Sequence, residues 1–517
     1  MSHPFCMRSC IQAISLFRRP ASRSKTFSPR ETVTERNRLK MIDAGLFEKV
    51  RDSLTSAIGE NKVLWNGADL APYSTESFVH AVKVGDRKCY SPDFAVLPET
   101  ASDVQRVVEI AAEHGIPLIP KGGGSNLTGM IAPIDGGIVI DTIKMNRITE
   151  VNLHDLYVTA QPGVTLKEID AELAKHGLAL NQLQGSYKVA TIGGSISTSG
   201  YPRKHNKYGT IADRVMSLEV VLADGRILRT GQKVLYTSTG YRLAQLFIGA
   251  EGTLGIITEA TLRVEPLPEA QRAVMAYYDD FRAALGAVVR IKTSGVSFIG
   301  AEAFEVPDDW KFEVPEGKNA LVVADFEGIR GEVDAEAEFV SAIIRETGGI
   351  LAKPEDAQGY VTGYDMIWCG LRAEMGVWGD SVAPYVPIDR LVEFYDRVWD
   401  EIMPKYGIEH APSGERCGLD CGKYEMGYAA FLIPKGADGF DKHEGAKREI
   451  AALATSLGGS FHACMGVGIK YIDCMELEFS EVALDVMRSI KAELDPHNIM
   501  NPGKKIPKPK KQHSETK

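Results

Sequence analysis

Three consecutive glycines constrain this chain more than any other feature. They stand in Pro120-Lys121-Gly122-Gly123-Gly124-Ser125-Asn126-Leu127-Thr128-Gly129, between an apolar run at 116–119 and a second strand-like run at 137–141. Glycine lets main-chain N–H groups turn to one side and approach a ligand closely. A concave row of such amides holds an anion, typically a phosphate or pyrophosphate. Two familiar phosphate loops are excluded. No Lys-Ser or Lys-Thr follows the glycines at P-loop spacing, and Leu127 stands where a dinucleotide fingerprint needs its third glycine. That fingerprint also opens a helix, whereas the residues after Gly124 are poor helix sequence. Taken alone, the loop also reads as a plain glycine turn between strands.

Further small-residue segments follow in order. Strand-like Tyr157-Val158-Thr159-Ala160 leads into Gln161-Pro162-Gly163. Next come Thr191-Ile192-Gly193-Gly194-Ser195-Ile196-Ser197-Thr198-Ser199 and Lys207-Tyr208-Gly209. Asp224-Gly225 between apolar runs signals a hairpin. Then come Glu251-Gly252-Thr253-Leu254-Gly255-Ile256-Ile257 and a terminal Leu494-Asp495-Pro496-His497-Asn498-Ile499-Met500-Asn501-Pro502-Gly503-Lys504. In this order the segments resemble the FAD-linked oxidases, the vanillyl-alcohol oxidase or PCMH-type superfamily. The resemblance is close to the branch holding D-lactate dehydrogenase, the glycolate oxidase D subunit, D-2-hydroxyglutarate dehydrogenase and alkylglycerone-phosphate synthase. It spans about residues 55–505.

The resemblance implies an α+β chain: a PCMH-type FAD-binding domain of two α/β subdomains, followed by an antiparallel-sheet cap domain with helices. It assigns the FAD pyrophosphate to the main-chain N–H groups of Gly122, Gly123, Gly124, Ser125, Asn126 and Leu127. The flavin and its ribityl chain fall to Thr191, Gly193, Gly194, Ser195 and Ser199, with Pro120, Lys121, Gly163, Tyr208, Gly209 and Asn501 as further cofactor contacts. Glu251, Gly252, Thr253, Gly255, Ile256 and Ile257 run past the adenine side and the isoalloxazine edge. Some relatives attach flavin covalently through His, Tyr or Cys; the glycine loop here offers Ser125 and Asn126, which favours non-covalent FAD.

Composition sets the outer bounds. At 517 residues, 44% hydrophobic and 25% charged, the chain is of ordinary globular type and long enough for more than one domain. Its net charge of −10 argues against a broad nucleic-acid surface. The eight cysteines form no regular framework, which points to free thiols in a reducing compartment. No apolar run approaches a membrane span. Residues 1–42 read as a leader; the first acid is Glu31, after six basic residues. A mitochondrial transit peptide and a disordered extension fit it equally, so the location is cytoplasmic, or mitochondrial if 1–40 is a targeting signal. The expected divisions are 43–267 for FAD binding, 268–506 for the cap and C-terminal oxidase segment, and a disordered tail at 507–517. Pro266 and Pro268 mark the internal boundary.

Periodicity predicts a helix at 43–60, a strand at 93–98, and a helix capped by Ser102 and ending at Gly115. A second helix is capped by Thr165 and stops at Gly177. In the cap, strands are expected at 273–277, 320–325 and 426–433. Helices are expected there at 281–293, 333–347, 388–406, 443–457 and 480–494.

An alcohol-oxidising flavoprotein needs a base for the hydroxyl proton and an anchor for the rest of the substrate. Arg372, in Trp368-Cys369-Gly370-Leu371-Arg372, resembles the family's carboxylate-binding arginine; an ion-paired surface arginine is the alternative. Where the hydroxy-acid branch carries Glu-His, this chain has Cys464-Met465, which leaves His462 as the candidate base. A core histidine is the bland reading of the same residue. Tyr424 and Tyr385 are candidate substrate contacts. His205 lies in a basic loop that either approaches the flavin or is solvated. His410, Cys417, Cys421 and Cys464 are a weak thiolate metal pattern, and no metal is assigned.

The expected activity is FAD-dependent oxidation of a small hydroxy acid, D-lactate or glycolate, by hydride transfer to flavin N5. The alternatives are another alcohol such as a phenolic one, an alkylglycerone-phosphate-synthase-like transferase, and a flavoprotein subunit of a complex. The electron acceptor is open among oxygen, a quinone, a cytochrome and a partner, and the assembly between a homodimer and an iron–sulfur or flavoprotein partner subunit.

Overall fold

A computed structural model describes residues 42–74, 90–306, 310–362, 379–408, 417–419, 426–432 and 438–509, with main chain alone at 379–381, 417–419 and 426–432. The leader through residue 41, Cys369, Arg372, His410, Cys421, Tyr424 and the tail from 510 lie outside the described residues.

Two sheets make up the first half. In the first, Val63–Leu64, Phe94–Val96, Ile138–Asp141 and Leu118–Lys121 lie side by side in that order. The last three are mutually parallel. Their crossover is the helix Ala101–His114, which buries Val104, Val107, Val108 and Ala111 and stops at Gly115 in the left-handed region (φ 64°). Its cap is Thr100, whose hydroxyl accepts from the Asp103 N–H, and not Ser102. Either residue offers a capping hydroxyl, and the extended backbone of Thr100 decides between them. Leu118–Lys121 is an edge strand, and the C-terminal segment covers it: Leu118 N–H donates to Ile499 O and Asn501 N–H donates back to Leu118 O. Asp495 holds that segment by accepting from the N–H groups of Ile499 (3.0 Å) and Met500 (2.8 Å).

The second sheet is antiparallel, in the order Ile148–Asn152, Tyr157–Ala160, Ile256–Arg263, Val215–Val221, Ile227–Arg229. Asp224-Gly225 joins the last two of these as a hairpin, with Gly225 at φ 82°. The helix Leu166–Ala174 starts at Thr165 with a reciprocal cap to Glu168 and buries Leu166, Ile169 and Leu173 against this sheet's core.

After Glu265–Pro266, which pairs with Leu178–Ala179, the chain enters a seven-stranded antiparallel sheet. Its order is Ile350–Leu351, Ala270–Tyr278, Ala320–Gly328, Gly300–Glu305, Cys417–Leu419, Met426–Leu432, Gly379–Val382. One face carries Val274, Ala276, Ala301, Ala303, Val322 and Ala324, and packs on Phe281–Thr293, Arg330–Glu346 and the helical stretch 388–406. This gives the expected α+β architecture with an antiparallel roof. Among the described residues, no helix is long and apolar enough to cross a membrane.

The other face of the roof changes character along its strands. At one end Leu321, Val323, Phe304, Met275 and Tyr277 are covered by the helix Pro354–Thr362. At the other end Glu302, Asp325 and Glu327 are buried against residues 201–208 of the first half. Arg203 Nη1 donates to Asp325 (2.6 Å), and its Nε lies 3.5 Å from Glu302. Lys204 donates to both oxygens of Glu327 at 2.8 Å, and Lys207 to the Glu327 carbonyl. Tyr360 donates to Glu302 (2.8 Å). Gly300 keeps the space open, since a Cβ there would lie 2.9 Å from Asp325 Oδ1. Burial pushes the Asp325 carboxyl up to about 6, with Arg203 opposing and Glu302 and Glu327 adding to the rise.

Two outcomes follow for unfolding curves. Arg203→Ala leaves buried carboxylates without their guanidinium, so it lowers stability by about 3–5 kcal/mol. Because the Asp325 carboxyl titrates near 6 when folded and near ~4 when unfolded, the folded state holds the proton more tightly. Its contribution is full below the unfolded value and is lost as pH rises through about 6. Asp325→Asn flattens this part of the stability curve in denaturant titrations across that window.

Candidate active site

The glycine loop leaves its edge strand beside residues 189–191. A Cβ on Gly122 would lie 2.3 Å from Thr191 Oγ1, and one on Gly123 would lie 1.9 Å from the Val189 carbonyl oxygen. Gly124 takes a left-handed φ of 70°. The first demand for glycine is therefore close packing of main chain on main chain, which sequence reasoning had assigned to the ligand. The packing has a consequence for the amides. Among the described residues no N–H from Gly122 to Leu127 has an acceptor within the protein. All six residues are half-buried. Half-buried donors without a protein acceptor are left to solvent or to a bound ligand.

The loop's side chains are largely occupied. Lys121 donates to Asp141 (2.9 Å) and sits over the Tyr73 ring. Asn126 Oδ1 accepts from the Thr128 N–H (2.8 Å), and its Nδ2 donates to Met465 O (3.2 Å). A phosphate at this loop would thus meet main chain before charge. Val189 is 43% exposed although it adjoins Gly123, and makes an apolar wall with no local motif to mark it.

Residues 191–199 form the floor. Thr191 caps the short helix Ile192–Ser197, and the Ile192 and Gly193 N–H groups donate to Val164 O and Pro162 O. Gly163 and Gly193 have no room for a side chain, since added Cβ atoms would meet Thr142 O at 2.1 Å and Pro162 Cβ at 2.5 Å. The Gly194 N–H is used by Thr191, and buried Ser195 accepts from Gln184. The Ile192, Gly193 and Gly194 amides thus have acceptors within the protein, in contrast to those of 122–127. Ser199 is exposed at φ 52°. Half-buried Tyr208 lies 5.6 Å from the Arg214 guanidinium; burial and then Glu327 push its hydroxyl up. Gly209 follows at φ 78° against Asp213.

Glu251 is the junction of three segments. It is buried, at φ 56°, and its carboxylate accepts from the N–H groups of Val467 (2.7 Å) and Gly468 (2.8 Å), with Lys505 Nζ at 3.3 Å. Gly252 (φ 70°) lies against Pro120, and Gly255 against Val220. Thr253 bonds to Ala250 O, while Ile256 and Ile257 are core side chains. Asn501 donates to Met130 O (3.0 Å) and Glu251 O (2.7 Å) and accepts from Lys504, so its amide fastens the C-terminus rather than pointing outward.

Residues 460–468 close the cleft from the roof side. Tyr385 and Ser460 exchange main-chain bonds at 3.0 Å, and the Ala463 N–H donates to Ala383 O (2.7 Å). Half-buried His462 packs its ring, tilted, on buried Tyr471 (4.1 Å between rings), which has the Lys447 and Lys470 ammoniums within 5.4 and 5.1 Å of its ring. Met465 is held at φ 70°, an uncommon conformation for an unbranched non-glycine residue. His205 is fully buried, with Nδ1 2.8 Å from Pro202 O, so it neither lies in solvent nor opens to the cleft. Among the described residues, no group of three or more His, Cys, Asp or Glu is placed to hold a metal.

Sequence profiles place this geometry. The FAD binding domain profile matches residues 92–231, and that of the C-terminal domain of FAD linked oxidases matches 267–505. The glycolate oxidase subunit GlcD of Bacillus subtilis is 30% identical over 429 residues, covering 81% of this chain and 89% of that protein. A D-lactate dehydrogenase of Archaeoglobus fulgidus is 30% identical over 455 residues, covering 85% and 94%. Among solved structures, an alkyldihydroxyacetonephosphate synthase superposes with TM-score 0.72 at 21% identity, covering 88% of this chain and 85% of that one. p-Cresol methylhydroxylase superposes at 0.73 and 18%, covering 89% and 97%.

Removing the Glu251 carboxylate would orphan two buried N–H groups, at about 1–3 kcal/mol each. Glu251→Ala is expected to lower the urea midpoint and to lose flavin on gel filtration. Lys505→Ala, at a partly exposed partner, costs under about 1 kcal/mol and retains flavin.

Proposed function

The chain belongs to the FAD-linked oxidases, and from that premise we propose that it oxidises a small 2-hydroxy acid of the lactate or glycolate kind to the 2-oxo acid. The observation that carries this reading is the row of unbonded amides at 122–127, in a chain whose 30%-identical relatives are named for hydroxy-acid chemistry. The amides fit a pyrophosphate, since each is a half-buried donor without an acceptor in the protein. FAD, when bound, supplies an acceptor for the hydride from the substrate carbon. We assign it non-covalent binding, with the pyrophosphate on 122–127 and the floor at 191–199.

The remaining chemistry belongs to side chains. His462 lies on the segment that Asn126 and Glu251 lock over the glycine loop, and an imidazole nitrogen there takes the hydroxyl proton as the hydride leaves. Arg372 holds the substrate carboxylate with its two-pronged guanidinium, and Tyr424 contacts the substrate; both roles rest on sequence. The 460–468 segment keeps water from the reacting carbon by closing against 383–385.

Anaerobic addition of D-lactate, L-lactate, glycolate and longer 2-hydroxy acids to the flavin-loaded protein tests this. At least one is expected to bleach the flavin absorbance. His462→Ala should slow bleaching by about 10²–10⁴-fold at unchanged flavin content, and Arg372→Ala should chiefly raise the substrate concentration needed. If no hydroxy acid bleaches a fully loaded flavin, the substrate assignment is wrong although the cofactor assignment stands.

A further inference from the structure

We propose that residues 231–243 form a docking element for an anionic lipid surface. This loop links the strand Ile227–Arg229 to the helix Ala244–Phe247. It crosses the second sheet from one edge to the other, because Lys233 reaches Glu150 (2.5 Å) and lies over the Tyr157 ring (5.6 Å) on the far strands. Lys233 ties the loop to the sheet while remaining 39% exposed, and Val234, Leu235, Tyr236 and Tyr241 stand out from the surface at 47%, 66%, 74% and 93% exposure. With Ile227 and Leu246, six of the fifteen exposed large apolar side chains among the described residues fall within 227–246. Single exposed apolar residues need no explanation, but a cluster of them marks a contact surface.

Charge selects the occupant. No acid occurs between Asp224 and Glu251 in a chain of net charge −10, and that interval holds Arg226, Arg229, Lys233 and Arg242. Arg226 pairs with Asp224, Arg229 with Glu219 and Lys233 with Glu150. Arg226 and Arg229 remain 77% and 81% exposed in their pairs, which holds those pairs only weakly. Arg242 has no ion pair among the described residues. Tyrosines and leucine at the tip with arginines at the rim suit the boundary between acyl chains and anionic headgroups. The proposal does not depend on the hydroxy-acid reading.

Sedimentation of the full, flavin-loaded chain with vesicles tests it, comparing phosphatidylcholine alone with an equal mixture of phosphatidylcholine and phosphatidylglycerol. Binding is expected to the mixed vesicles and to fall as salt rises. The combined variant Leu235→Ser, Tyr236→Ser, Tyr241→Ser should lower the bound fraction about tenfold, and Arg242→Glu should weaken it, with flavin content and turnover in solution unchanged. Three results would overturn the proposal: no binding to mixed vesicles, equal binding to neutral ones, or undiminished binding by the triple variant. A dimer seen by light scattering and dissolved by the triple variant would assign the surface to a second copy instead, and would likewise overturn it.

Discussion

The structure depends on a contact that leaves no room for a side chain at Gly122 or Gly123. The main chain at Gly122-Gly123 lies directly on Val189 and Thr191, close enough that a single methyl at Gly123 would stand 1.9 Å from a carbonyl oxygen. Two segments some seventy positions apart are thereby joined as backbone surfaces. The loop so held cannot turn its amides to any partner of its own. Under the proposed reading an anion would accept from these amides, which would make cofactor binding and loop geometry one problem rather than two.

Around this contact, polar groups of each part close on the other. Glu251 leaves the second sheet to accept from Val467 and Gly468, and Asn501 returns from the C-terminus to the carbonyls of Met130 and Glu251. Arg203 and Lys204 reach from just beyond the floor to three buried carboxylates on the roof strands, and Lys207 to the Glu327 carbonyl. The roof is thus tied to the floor through its polar patch, with Tyr360 of the roof's own helix completing Glu302. Buried carboxylates left without such partners would be costly. His462 and Met465 inherit their position from these bonds.

Much of this was legible in the chain. The ordered glycine segments implied the family, the α+β architecture and a flavin dinucleotide, and the matching profiles agree. Phe281–Thr293 was legible to the residue from its periodicity, because an amphipathic helix on a sheet is a local pattern. What escaped was long-range. Nothing near Glu251 says that its carboxylate meets amides more than two hundred positions later. Nothing near Gly163 distinguishes a glycine that touches cofactor from one that packs on the Thr142 carbonyl. His205 sat in a basic run and read as open, yet its ring is covered by Tyr201. Arg372 and Tyr424 lie outside the described residues, so their roles still stand on sequence.

The central claim is that the amides of 122–127, held open by side-chain-free packing on 189–191, bind the pyrophosphate of FAD. Titration of flavin-free chain with FAD, read by flavin fluorescence, tests it when wild type is compared with Gly123→Ala and folding is checked by circular dichroism. The account predicts saturable binding by wild type and affinity lower by about a hundredfold or more in a folded Gly123→Ala chain, since each lost or misdirected charge-assisted bond is worth about 1.5–3 kcal/mol. Equal affinity in the two proteins, or no binding by wild type, would contradict it.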